Sequence, residues 1–138
     1  MSVIPRAADP PPLARYSVSR RAGQHVHVSG MSPRTAHGCA GVQVQADGTR
    51  TYDMAAQTAC VLDKVERALA EHGMRLSDCV TLTCYLVDMA DYEAFNAAYA
   101  PYFPGAMPAR TCVAVAALPH PDMRVEITAT AWAQGDAA

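Results

Sequence analysis

The groups in this 138-residue chain that could ligate, attack or move protons are five cysteines, five histidines, and the acids and arginines between them. Cys39, Cys60, Cys79, Cys84 and Cys112 are odd in number and nowhere spaced as CxxC, which argues against a disulfide framework and a four-cysteine zinc site. His25 and His27 would share one face of a strand and imitate a metal pair, but no third ligand follows at useful spacing, so no metal is expected. Cys112 has no His or Lys beside it in sequence to lower its thiol pKa, and reads as a small buried strand residue rather than a nucleophile. Arg110 follows Pro108-Ala109, where an arginine is ordinarily solvated, although a guanidinium fork can also hold a carboxylate bidentately. Glu126 stands between Val125 and Ile127, where an alternating strand ordinarily turns an acid to water.

The length suits one domain and leaves no room for a second. Hydrophobic residues make up 51% and charged residues 17%, ordinary globular usage that argues against a disordered tail or a low-complexity linker. A formal charge of −2, from 11 Lys and Arg against 13 Asp and Glu with no basic run, argues against nucleic acid as a partner. No apolar stretch approaches the ~20 residues needed to cross a bilayer. The opening MSVIPRAADPPPLAR lacks the apolar region of a signal peptide. The expectation is a cytoplasmic protein with reduced thiols and no membrane partner.

Elements that could position these groups follow from periodicity. Positions 1–13, with Pro5 and Asp9-Pro10-Pro11-Pro12, should form an extended arm. Tyr16 and Val18, then Val26 and Val28, alternate against polar neighbours around a turn at Ala22-Gly23-Gln24, a hairpin signature. Positions 31–38 read as a loop, 39–45 as a third strand, and Asp47-Gly48 as a turn. Asp53 can cap a helix over about 54–72, with Val61, Leu62, Val65, Ala68 and Leu69 as its apolar stripe and Gly73 as its stop. CVTLTCYLV at 79–87 suits a strand with little exposure. Asp91 opens a second helix carrying Tyr92, Phe95 and Tyr99 on one face, read as core or subunit-interface residues, with Pro101 and Pro104 closing it. Strands near 111–116 and 124–133 complete the order βββαβαββ, an α+β architecture with two helices on one face of a mixed sheet.

Four ordered stretches carry a family resemblance: RYSVSRRAGQHVHVSG, the helix with Gln57-Thr58, TCYLVDMADYEAFNAAYAPYFPG, and PGAMPARTCVAVAALPHPDMRVEITATAW. Together they resemble the Rid family of enamine/imine deaminases over roughly 14–133, with 1–13 as an arm and 134–138 as a tail. Within it, Ser29-Gly30-x-Ser32-x-Arg34, Arg110-Thr111-x-Val113-Ala114-Val115 and Leu118-Pro119-His120-Pro121 look like the 2-aminomuconate deaminase subgroup. Thr128, where the generic pattern has a second acid, and Tyr16 depart from the subgroup or family pattern.

The resemblance implies a chorismate-mutase-like single domain assembled as a homotrimer, with sites in the clefts between subunits and no cofactor. It implies Arg110 as the clamp on a substrate carboxylate, the backbone of Cys112 beside it, and Glu126 across the cleft as general acid and base. Tyr16 and Asn96 would line the pocket. For a dicarboxylate such as 2-aminomuconate, Arg34 and His120 are the candidates for the far carboxylate. The expected activity is hydrolysis of an enamine or imine to an oxo acid and ammonia in aromatic-compound catabolism. A general 2-iminoacid deaminase and a non-catalytic trimeric binding or chaperone-like module are the rivals. Ribonuclease activity finds little support in the charge balance.

Overall fold

Period-two alternation in five strands and one long apolar stripe organise the chain. The computed structural model describes residues 9–134. Positions 1–8 of the expected arm, Pro5 among them, and 135–138 of the expected tail lie outside the described residues. In chain order the strands and helices are β1 (Ser19–Ala22), β2 (His25–Met31), β3 (Arg34–Thr35), β4 (Gly38–Cys39), β5 (Val42–Val44), β6 (Arg50–Tyr52), α1 (Met54–Ala70), β7 (Cys79–Leu86), α2 (Tyr92–Tyr99), β8 (Ala109–Ala114) and β9 (Val125–Trp132). The main sheet runs β1-β2-β9-β7-β8. Only β7 and β8 pair in parallel, with α2 in the crossover between them, so the sheet is mixed.

The register fixes which side chains share a face. Leu82 lies opposite Arg110 on one side and Ala129 on the other, and Cys84 opposite Cys112 and Ile127. Leu82, Cys84, Ile127 and Ala129 form the sheet's contribution to the core with Val26, Val28, Val125 and Ala131, and Cys112 packs against it. Onto that face α1 sets Val61, Leu62, Val65, Ala68 and Leu69, all buried. Asp53 caps α1 by accepting from the Ala56 amide at 3.1 Å, as expected. Gly73, at φ 70°, takes the left-handed turn just beyond the helix.

Several expectations change. Val80 and Thr81 are exposed and Thr83 and Tyr85 half-buried, while Leu82, Cys84 and Leu86 are buried, so this strand is not buried on both faces. The whole sheet surface opposite the helices is uncovered in the single chain, with Val113 and Trp132 exposed on it. The hairpin begins at Ser19, leaving Tyr16 and Val18 ahead of it. The expected loop and third strand resolve into two short hairpins, β3-β4 and β5-β6. Asp91 opens α2 as expected, but its carboxylate takes the Arg124 guanidinium at 2.8 and 3.2 Å and makes no cap hydrogen bond to the helix. Pro101 does not end the helix outright: one 3-10 turn, Ala100–Tyr102, continues from it.

A buried polar clamp joins α1 to the segment leading into β9. Gln57, fully buried, donates to the Asp122 carbonyl at 2.7 Å and accepts from the Arg124 amide at 2.9 Å. The Asp122 carboxylate in turn accepts from Arg50 at 2.6 Å and from the Tyr52 hydroxyl at 2.9 Å. Gln57→Leu would orphan two backbone groups. We predict a loss of about 1–3 kcal/mol for each, read as a lower urea midpoint at unchanged slope.

Candidate active site

Glu126 is carried by the uncovered face of β9, directly across from Tyr85. Its neighbour strand β2 bulges between Val28 and Met31, bringing Gly30 against the carboxylate. A Cβ on Gly30 would lie 2.5 Å from a Glu126 oxygen and 2.9 Å from its carboxyl carbon, so only glycine lets strand and acid approach this closely. The carboxylate opens on a cleft that Tyr16, Ser29, Arg34 and Lys64 also line. Pro10, Pro12 and Leu13 form its rim, where the arm from Asp9 onward folds back over the chain's own surface. Asp9 is held there by Arg67 of α1 at 2.7 and 3.0 Å, and the Pro11 carbonyl accepts from Arg34.

Among the described residues no cation or hydrogen-bond donor pairs with Glu126. Burial alone pushes its pKa above the ordinary carboxylate value. A glutamic acid so placed keeps a proton to higher pH and can both donate and recover it, which is what an acid–base catalyst requires.

Arg110 lies on the opposite face. It projects from the edge strand β8 beneath α2, where its guanidinium carbon sits 4.9 Å from the Tyr99 ring centre, 5.5 Å from Phe95 and 5.9 Å from Tyr92. One N–H reaches the Tyr92 hydroxyl at 3.3 Å. The helix aromatics read from sequence as packing residues therefore also form a cage that orients this cation. No carboxylate neutralises it among the described residues. The planar fork, held by rings and lacking an acid, is prepared for an anion from outside.

The other expected site residues divide. Tyr16 and Arg34 join Glu126 in its cleft, whereas Cys112 lies on the Arg110 face, packed against the core. Burial raises the Cys112 thiol pKa and Arg110 only partly offsets it, consistent with a thiol that does not attack. Asn96 is on α2, and its buried side-chain oxygen has no hydrogen-bond partner. His120 stands outside the Glu126 cleft, where its Nδ1 accepts from the Asp122 amide at 3.0 Å. That contact gives it a turn-forming role in this chain. Lys64 was missed from sequence, although a lysine within the stripe Val61, Leu62, Val65, Ala68 was a visible signal.

Sheet order, one-sided helices and chain length place this protein in the mixed-sheet α+β class. It belongs to the family described as Endoribonuclease L-PSP, whose sequence pattern matches residues 6–133. It is 39% identical over 122 residues to a protein of Acinetobacter baylyi named 3-aminoacrylate deaminase RutC, covering 88% of this chain and 90% of that one. Its fold is similar to the crystal structure of yeast Mmf1, with a TM-score of 0.76 at 32% identity, covering 91% of this chain and 93% of that one. The same Saccharomyces cerevisiae protein is named as mitochondrial. A structure of Escherichia coli TdcF with bound serine matches with a TM-score of 0.76 at 26% identity, covering 91% and 94%. The resemblance to a deaminase family thus holds at the family level. No helix among the described residues is long and apolar enough to cross a membrane.

The desolvated Glu126 sets a pH dependence whose sign is fixed. Between the ordinary value of 4.5 and its raised folded value, the folded state holds more protons than the unfolded one, so stability falls as pH rises through that window. Glu126→Gln should melt higher than wild type at neutral pH. The difference should vanish below about pH 4, where both chains carry a neutral group. Thermal melts at pH 3.5 to 8 check this.

Proposed function

We propose that the protein is a cofactor-independent hydrolytic deaminase of carboxylate-bearing enamines and imines, acting as a homotrimer with its sites between subunits. The observation that carries this reading is the split placement of two unneutralised groups, Arg110 on the helix-covered face and Glu126 on the open face of one sheet. A single chain cannot direct both at one small molecule. A second copy seated on the uncovered sheet face would bring its Glu126 cleft to the Arg110 edge of the first, and burying Val113 and Trp132 favours such assembly.

In the reaction, Arg110 holds the substrate carboxylate and fixes the plane of the adjoining C=C–N unit, with the Cys112 backbone beside it. Protonated Glu126 gives its proton to the enamine carbon, which forms the iminium ion. The resulting carboxylate takes a proton from water as the water oxygen bonds to the imine carbon. Transfer of that proton to nitrogen lets the C–N bond break; as the carbonyl forms, the hydroxyl proton passes to the Glu126 carboxylate, so ammonia and the oxo acid leave and the acid form of Glu126 is restored. Tyr16 would orient substrate or water from the cleft wall, and Asn96 would do so from α2.

For the substrate we favour 2-aminomuconate, supported by the Ser29-to-Arg34 and Leu118-to-Pro121 motifs and by Arg34 lining the Glu126 cleft as a partner for a far carboxylate. His120, engaged with Asp122, is the weaker candidate for that role. Turnover in the cytoplasm, within aromatic-compound catabolism, fits free thiols at all five cysteines. A general 2-iminoacid deaminase is the second reading, favoured by the relative named for 3-aminoacrylate and by the serine bound to TdcF. A nucleic-acid substrate is not proposed, because a formal charge of −2 without a basic run argues against a phosphate-backbone partner.

Ammonia release from freshly generated 2-aminomuconate, beside a simple 2-iminoacid, tests this. Glu126→Gln should lower kcat by roughly 10²-fold or more. Arg110→Lys should raise KM at least about tenfold by losing the bidentate contact. Wild-type turnover of neither substrate would refute the assignment. Equal turnover of both would select the general deaminase.

A further inference from the structure

Lys64 is the charged group beside the Glu126 cleft that the hydrolysis does not use. It sits on the apolar stripe of α1, 8% exposed, and lines the cleft together with Arg34. Its ammonium donates to the Ser32 carbonyl at 2.7 Å and to the Arg34 carbonyl. An ammonium has three N–H donors, so one is left over. Among the described residues no carboxylate pairs with it: Asp9, the nearest acid along the arm, is bound by Arg67. Burial correspondingly pulls the Lys64 pKa below the ordinary lysine value.

Two carbonyls can be satisfied by a neutral amide such as glutamine, without the cost of desolvating a charge. A buried ammonium at the wall of an open cleft is instead suited to an anion that arrives with the ligand. Arg34 has the same character, since its guanidinium meets the neutral Pro11 carbonyl, a weaker acceptor than a carboxylate. Both cations line the same cleft, the Lys64 ammonium donating to the Arg34 carbonyl, and Glu126 is the acid they share it with.

We propose that Lys64 determines substrate specificity by supplying, with Arg34, a carboxylate subsite that selects ligands bearing a second carboxylate beyond the reacting carbon. This rests on the deaminase reading for the reacting end of the substrate, and extends it to the far end. Binding moves the Arg34 guanidinium from the Pro11 carbonyl to the incoming carboxylate, while Lys64 uses its remaining N–H. Lys64 also fixes the Ser32 and Arg34 backbone, so it positions Arg34 as well as contacting the ligand.

The test compares two unreactive ligands by calorimetry on the assembled protein: hexa-2,4-dienedioate, and hexa-2,4-dienoate with one carboxylate fewer. Wild type should bind the diacid at least about tenfold more tightly, one charge-assisted contact's worth. Lys64→Gln, which keeps two donors for the loop carbonyls, and Lys64→Met, which keeps the stem, should cut that preference to what Arg34 alone supplies. The melting temperature of Lys64→Gln should hold or rise, because a buried charge is removed while two donors remain, whereas Lys64→Met, which leaves both carbonyls without a donor, should melt lower. A purely structural lysine would leave the diacid preference intact, and an intact preference in either variant overturns the proposal. Wild type binding both ligands equally also overturns it, while ammonia release from a 2-iminoacid in the same preparation would leave the deaminase reading standing. Absence of all turnover would remove that reading separately.

Discussion

The geometry of a pleated strand governs this protein's chemistry. Side chains alternate between faces, and residues paired across a ladder share one. Because Leu82 aligns with both Arg110 and Ala129, Arg110 is committed to the helix-covered face. Because Tyr85 aligns with Glu126, that acid is committed to the open one. A one-residue slip of β9 would bury Glu126 in the core and expose Ile127, and one of β8 would turn Arg110 to the open face. The core therefore secures the register, and the register keeps acid and clamp apart within a chain.

Each half of the site is held in an electrostatically unfinished state. Rings of Tyr92, Phe95 and Tyr99 orient the Arg110 guanidinium without neutralising it. Gly30 lets β2 press against Glu126, removing water while offering no cation in return. Lys64 repeats the pattern, with carbonyls in place of an acid. Groups left in this way reduce stability and increase affinity for what completes them. The Gln57, Asp122 and Arg124 clamp, by contrast, is satisfied on every side and anchors the start of β9.

Much of this was legible in the chain itself, for physical reasons. The stripe on α1, the Asp53 cap and Gly73 are local signals, and local signals survive folding. The strand at 79–87 was misjudged because its composition suits burial on both faces, whereas among the described residues only one of its faces is packed on the core. The ion pair of Asp91 was not legible for a related reason: its partner Arg124 lies 33 positions away. Gly30 was visible as part of a motif, but its steric reason needed the β2 bulge. Arg34 and Tyr16 were found through motifs, while Lys64 was hidden by the habit of reading lysine as solvated.

The most direct measurement of the central claim uses two inactive chains. Arg110→Ala retains Glu126, and Glu126→Gln retains Arg110; each forms no complete site alone. Refolded together as a mixture, they should recover about a quarter of wild-type ammonia release, the fraction of interfaces that pair one intact clamp with one intact acid in a closed ring. Activity no greater than that of either variant by itself, in mixed assemblies of confirmed composition, would show that the site does not lie between subunits.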